Sequence, residues 1–261
     1  MARDAPTTKA GRTGPHATFR SVENGIDASP ATATEGIIVA LERMALEERQ
    51  PGEYMPSEAS LAATLGVSRL TVREATRALV ARGYLELRKG RRPKVLAPDG
   101  SLLGHYFRAS LRRDPSALLD LLEVRRALEV HIASLAAARA SRSSIAAMRE
   151  AIDQMARDPE DEEAFQDGDQ RFHEALAAAT GNTMLRQLIE QLAEPLMTSR
   201  RRSYAGHKRG GLPLMGVVEA HRAILEAVED RDAPAAAAAM RQHLSATEKD
   251  LRTALRDDAI A

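Results

Sequence analysis

Two constellations in this 261-residue chain have residue types and spacings that could do chemistry. The first lies in the C-terminal part. Asp169 and His173 stand four residues apart in "DGDQRFHEALAAATGN", His221 opens a later apolar-periodic segment, and His243 follows 22 residues further on. Residues four apart project from the same side of a helix, so that carboxylate and imidazole would point together. Three imidazoles and a carboxylate from three helices can converge in a bundle core, and this N/O set suits zinc, nickel, manganese or iron(II). Spacing alone leaves a plainer alternative open, in which each histidine is a surface or capping residue and the Asp/His pair is coincidental.

The second constellation is cationic. In "GVSRLTVREATRAL" Arg69, Arg73 and Arg77 recur every four residues and would line one side of a helix, while Val72, Ala75, Leu79 and Val80 face the other way. A solvated face is the ordinary reading of three such charges. What changes it is the position of the segment.

The elements around it run helix, helix, turn, helix, hairpin. Ile37, Ile38, Leu41, Met44 and Ala45 have helical spacing, and "QPGEYMPSE" ends that helix. Ser57 caps "EASLAATLG", which Gly66 breaks, and Ser68 caps a third helix that runs to about Arg82. "YLELR" and "PKVLA", joined by "KGRR", read as two short strands. This is the order of a winged helix-turn-helix. Its third helix would enter the major groove with Ser68, Arg69 and Thr71 leading and Arg73 and Arg77 further along, and Arg88, Lys89, Arg91 and Arg92 on the wing could track phosphates or reach the minor groove.

Beyond Asp99 no strand signal survives. Helices are expected from Asp114-Pro115 to about Ala140, Ser143 to Arg157, Asp158 to Thr180, Thr183 to about Arg202, Met215 to Asp230 and Ala233 to Arg256. The basic, glycine-bearing "SRRRSYAGHKRGG" would be a surface connection or, less simply, a lid. The fold class is therefore mainly α: residues 1–30 a disordered tail, 31–98 the winged helix-turn-helix, 99–114 a linker, and 115–256 an all-helical domain. Charge follows this division. Residues 1–112 hold 17 Lys/Arg against 12 Asp/Glu, the remainder 20 against 25, and residues 57–96 nine against three. Only the first half is dressed for a polyanion. With no cysteine, disulfides and thiolate chemistry are excluded, and no apolar run is long enough to span a membrane. Both features suit a cytoplasmic protein.

"PGEYMPSEASLAATLGVSRLTVREATRALVARGYLELRKGRRPKV" resembles the GntR family of bacterial winged-helix regulators, whose hallmark runs Pro-Gly, Pro-Ser-Glu, Leu-Ala, Gly-Val-Ser-Arg and Val-Arg-Glu-Ala. The resemblance covers about residues 35–96 and implies that Ser68, Arg69, Thr71 and Arg73 contact DNA. Two departures bear on operator preference: Ala59 stands where many members have a DNA-contacting arginine, and "KGRRPKV" where a Gly-Arg-Gly turn is common.

The helical half resembles the FCD ligand-binding domain of the FadR-type subgroup, through "LLDLLEVRRALEVHIASLAA", "DQRFHEALAAATGN" and "EAHRAILEAVEDRDAPAAAAAMRQHL" in that order. In metal-binding members the aspartate and histidine of a DxxxH pattern and two later histidines hold the ion, which implies Asp169, His173, His221 and His243 here, with zinc first among the candidate divalent metals. The resemblance also implies a small organic acid completing the coordination. Arg125 is then a carboxylate clamp or, equally, an ion-pair partner of Glu129; Asn182 lines the pocket or simply caps a helix. His131 is expected to pack, and His16, His105 and His207 are given no role. "HEALA" is not HExxH, because Ala177 takes the second histidine's place, and P-loop, GxSxG and dinucleotide-binding patterns are missing. A homodimeric regulator, in the subgroup's habit a repressor, is expected. Its two recognition helices would meet operator DNA about 34 Å apart, and an effector would act through the linker near "APDGSLLGHY". A DNA-architectural protein whose helical domain only dimerises is the alternative.

Overall fold

The computed structural model describes residues 30–114 and 116–258, with side chains described from residue 34 to residue 256; the expected tail, His16 and Pro115 lie outside the described residues. The N-terminal unit contains α1 (Pro30–Glu47), α2 (Glu58–Leu65), α3 (Arg69–Ala81), β1 (Leu85–Glu86) and β2 (Lys94–Val95). Each boundary has a local cause. Ser57 Oγ accepts from the backbone N–H of Ser60 and Ser68 Oγ from that of Thr71, which relieves two helix N-termini of unpaired donors. Gly66 ends α2 in the left-handed region, φ 68°, where a side chain would be strained. The strands pair antiparallel, Leu85 opposite Val95 and Glu86 opposite Lys94. The "PGEYM" segment, expected only to end α1, adds a third edge: Gly52 N–H donates to Val95 O and Val95 N–H to Glu53 O, both at 2.8 Å. Leu41, Met55, Leu61, Val72, Ala75, Leu79, Leu85 and Val95 close one core beneath α3.

The expected linker is instead a helix, α4 (Ser101–Arg113). Leu103, Phe107 and Leu111 recur every four residues along it, a helical stripe visible in the sequence, and Phe107 and Leu111 pack against the main helical core. Gly104 allows α4 to lie close on its neighbour, since a Cβ there would come within 2.9 Å of the Gln191 side chain.

Six further helices form the bundle: α5 (Ala117–Arg139), α6 (Arg142–Arg157), α7 (Glu162–Ala179), α8 (Thr183–Arg209), α9 (Met215–Glu229) and α10 (Ala233–Asp258). α10 packs on α5, α8 and α9, and α7 lies between α6 and α8. Start points move inward where a cap decides. Helix α7 begins after Asp161, whose carboxylate accepts from Ala164 N–H at 3.1 Å, rather than at Asp158. The larger correction is α8. The "SYAGHKR" stretch expected to be a loop is helical to Arg209, and its glycine is a packing residue: a Cβ at Gly206 would fall 2.2 Å from the Asp250 carbonyl oxygen on α10. Composition read as flexibility was in fact a close helix crossing. His131, expected to pack, is exposed on α5.

Candidate DNA-contacting face and metal centre

Arg69, Arg73 and Arg77 all lie on the exposed side of α3, opposite the buried Val72, Ala75, Thr76 and Leu79. They are not equivalent. Arg73 is held by Glu58 of α2, with Nε 3.3 Å from both carboxylate oxygens and Nη2 3.0 Å from Oε2, which raises its pKa through that hydrogen bond and the carboxylate's charge. Arg69 and Arg77 project to solvent. Ser68 Oγ is engaged in its cap and lies 2.9 Å from Thr71 Oγ1, so both hydroxyls sit at the leading end of α3 in a fixed arrangement. On the wing, Gly90 provides the φ of 75° that the turn needs. Lys89 and Arg91 extend outward, Arg88 bonds Glu86 at 2.9 Å, and the Arg92 guanidinium sits 6.0 Å from the Tyr54 ring centroid.

In the bundle, Asp169 and His173 of α7, His221 of α9 and His243 of α10 are all buried, and one ligand atom from each lies within 4.8 Å of the other three. The surrounding groups fix the imidazoles. His221 Nδ1 is 2.8 Å from the Val217 carbonyl and so carries the proton, leaving the Nε2 lone pair inward, 3.2 Å from Asp169 Oδ1. His173 Nδ1 lies 2.6 Å from Glu129 Oε2, which likewise leaves Nε2 as the acceptor. His243 stacks beside His173 and against His221, and among the described residues its Nε2 has no hydrogen-bond partner; neither has His221 Nε2. Buried acceptors facing one another repel unless a cation stands between them. This donor set fits a divalent ion.

The electrostatics agree. Burial alone would push the Asp169 carboxyl up, but the adjoining His173 and His221 rings and the charge of Arg200 outweigh it and hold it well below the usual carboxylate range. Glu129 behaves alike: burial opposes its charge, while Arg125 and His173 restore it and pull the pKa down. Burial, reinforced by the charges of its neighbours, pushes the His243 imidazole well down, towards the neutral form that a metal needs.

Arg125 is buried, with Nε 2.8 Å from Glu129 Oε1 and Nη2 2.7 Å from His173 Nε2, so the Glu129 pair is the arrangement present. Asn182 lies elsewhere. It is exposed and its Oδ1 accepts from the N–H groups of Met184 and Leu185; the cap consumes the side chain that a pocket would have used. Two neighbours were not singled out from sequence. Arg200 places Nε 2.6 Å from Asp169 Oδ2, and His207 pairs through Nδ1 with Asp250 at 2.9 Å. Both ride on the part of α8 expected to be loop or its border. A cavity of about 40 Å³ bordered by Arg125, Asp169, Arg200, Ser203, His207 and His243 reaches the cluster. A larger groove of about 500 Å³ lies along α7 and α8, but Glu162, Glu163 and Asp167 line it, which makes it the wrong sign for an acid.

Residues 34–95 match the family described as bacterial regulatory proteins, gntR family, and residues 120–246 match the FCD domain. The chain is 31% identical to the HTH-type transcriptional regulator LutR of Bacillus subtilis (strain 168) over 204 residues, 77% of this chain and 92% of that protein. It is 34% identical to the Uxu operon transcriptional regulator of Escherichia coli (strain K12) over 201 residues, 74% of this chain and 76% of that protein. Among solved structures, Streptococcus agalactiae GntR superposes with a TM-score of 0.64 at 28% identity, covering 83% of this chain and 99% of that one. These relatives are regulators rather than enzymes, and no helix among the described residues is long and apolar enough to cross a membrane. The chain belongs to the gntR family of bacterial regulatory proteins: it is a DNA-binding transcriptional regulator with a C-terminal FCD domain.

Proposed function

We propose that the helical domain is a metal-centred sensor of a small organic acid and that its occupancy sets the operator affinity of a cytoplasmic homodimer, acting as a repressor. Asp169, His173, His221 and His243 would hold the ion, zinc first and nickel, manganese or iron(II) as alternatives. The bound ion would supply a Lewis-acidic site for a carboxylate. Arg125 and Arg200, beside the same cavity, would orient the acid. Operator DNA would be met by Ser68, Arg69, Thr71, Arg73 and Arg77, with the wing cations Arg88, Lys89, Arg91 and Arg92 on the backbone. The observation that carries the sensor reading is the buried convergence of four candidate ligand atoms, two of them imidazole nitrogens with no hydrogen-bond partner among the described residues.

The test is metal analysis of purified protein, followed by thermal unfolding with metal, with chelator, and with metal plus a series of small carboxylic acids. An ion at 100 times its Kd stabilises by roughly 2.7 kcal/mol, which for a domain of this size is a rise of about 5–10 °C. Identical midpoints with metal and with chelator would leave the helical domain a dimerisation module and nothing more.

Helix α8 is the natural path from sensor to DNA-binding unit. At one end Gln187 Nε2 donates to Pro98 O at 3.2 Å and Gln191 Nε2 to Asp99 O at 2.9 Å; beyond the buried Pro195, Arg200 holds Asp169. The Gln187→Ala/Gln191→Ala double variant is expected to keep the acid's thermal shift while losing most of the change in operator affinity, a coupling of about 1–3 kcal/mol in proteins of this kind. DNA titrations with and without the acid check this, and an undiminished response would take α8 out of the path.

A further inference from the structure

One contact at the proposed metal site cannot survive metal ligation. His173 Nε2 is 3.7 Å from Asp169 Oδ1 and is the nitrogen that faces the other ligands. Its lone pair already has an occupant, Arg125 Nη2 at 2.7 Å. With Nδ1 turned to Glu129, the neutral ring has a single acceptor nitrogen, and one lone pair cannot serve both a guanidinium N–H and an ion. Arg200 differs in kind. It approaches Asp169 through Oδ2 and leaves Oδ1 to the ligand cluster, so it supports the carboxylate rather than blocking it.

Resting on the metal reading above, we propose that Arg125 is an internal competitor of the metal: its guanidinium caps His173, ion binding turns it aside, and the freed arm is presented to an anion. Arg125 stays anchored during this exchange through Nε on Glu129 Oε1, 2.8 Å away, so the movement is a pivot of the outer guanidinium nitrogens beside the cavity that Arg125 lines. Charge gives the direction. Among the buried groups, Asp169 and Glu129 balance Arg125 and Arg200. A divalent ion adds two positive charges where water does little screening, and the site then demands an anion. Ion and acid therefore reinforce each other, by the same factor in both directions.

The experiment measures zinc affinity of the full-length protein by competition with a chromophoric chelator, with and without acetate, for the wild type and Arg125→Lys. Lysine keeps a charge for Glu129, but a single ammonium cannot span Glu129 and His173 as the guanidinium fork does. Arg125→Lys is expected to bind zinc about tenfold more tightly than the wild type without acetate. Acetate is expected to strengthen zinc binding in the wild type and to do so much less in the variant. Should Arg125→Lys fail to fold, crystal structures of the wild type grown with zinc and with chelator decide the matter: the Arg125–His173 contact is expected to open in the first and persist in the second. Equal or weaker zinc binding by a folded Arg125→Lys, or a zinc-loaded crystal that keeps the contact, overturns the competition while leaving the metal site standing. A wild type that takes up no zinc overturns both.

Discussion

His243→Ala is expected to lose its metal, and with it the response to acid, while basal operator binding stays close to that of the wild type. Loss of a hydrogen bond that merely supports a ligand costs roughly 10- to 100-fold in metal affinity; removal of the ligand itself should exceed that. His221→Ala should behave alike, since Val217 O fixes the His221 ring with Nε2 inward and no other nitrogen can take its place. The control is internal to the experiment. Deleting a buried ring leaves a hole whose cost is the same with chelator and with metal, so the quantity to read is the difference between those two unfolding midpoints. In the wild type the difference is expected to be several degrees, and in the variants it should vanish. A variant that still shows the full metal-dependent shift and the full acid response would refute the four-ligand sensor. α3 packs on α1, α2 and β1, whereas the histidines stand on α7, α9 and α10, so operator binding without acid supplies the complementary check that the DNA-binding unit is intact.

How much of this could be read from sequence depends on what each residue answers to. The recognition unit was legible because its signals are local: Ser57 and Ser68 cap the helices they precede, Gly66 ends α2 with a left-handed residue, and the apolar face of α3 is opposite its arginines. The candidate metal cluster was legible as residue types, since Asp169 and His173 share one helix, but their meeting with His221 and His243 is a property of three helices packing together. What escaped was governed by partners remote in the chain. Gly206 looks like a loop residue until Asp250 is seen against it, and Arg200 looks like one of several surface arginines until Asp169 is found 2.6 Å away. Helix α4 is a different kind of miss, because Leu103, Phe107 and Leu111 display the period openly; their neighbours Pro98, Asp99 and Gly100 suggested a linker. At Asn182 the sequence leaves a pocket residue and a helix cap both open, and the side chain is used by the adjacent helix terminus.

Arg69→Ala is expected to weaken binding to DNA from upstream of the protein's own gene by about 1–3 kcal/mol, roughly 5- to 150-fold, if the side chain grips a guanine bidentately. It is the best placed of the three α3 arginines, at the first helical position behind the Ser68 cap and exposed. Arg73→Ala should cost a similar amount by another route. Its guanidinium is held against Glu58 in a solvent-exposed pair, which is weak, so the pair orients the side chain without withholding it from DNA. Glu58→Gln separates orientation from charge: if the carboxylate positions Arg73, sequence discrimination falls although the positive potential of the face rises. The wing gives a contrasting signature. Lys89→Ala and Arg91→Ala should weaken all sequences alike and lower the salt slope by about one ion each, whereas Arg69→Ala should lose discrimination between operator and unrelated DNA. Titrations at several salt concentrations against both DNAs distinguish these outcomes. An Arg69→Ala variant with unchanged affinity and unchanged salt slope would place the α3 face outside the interface, and the cationic stripe that first marks this segment would then be no more than a solvated helix surface.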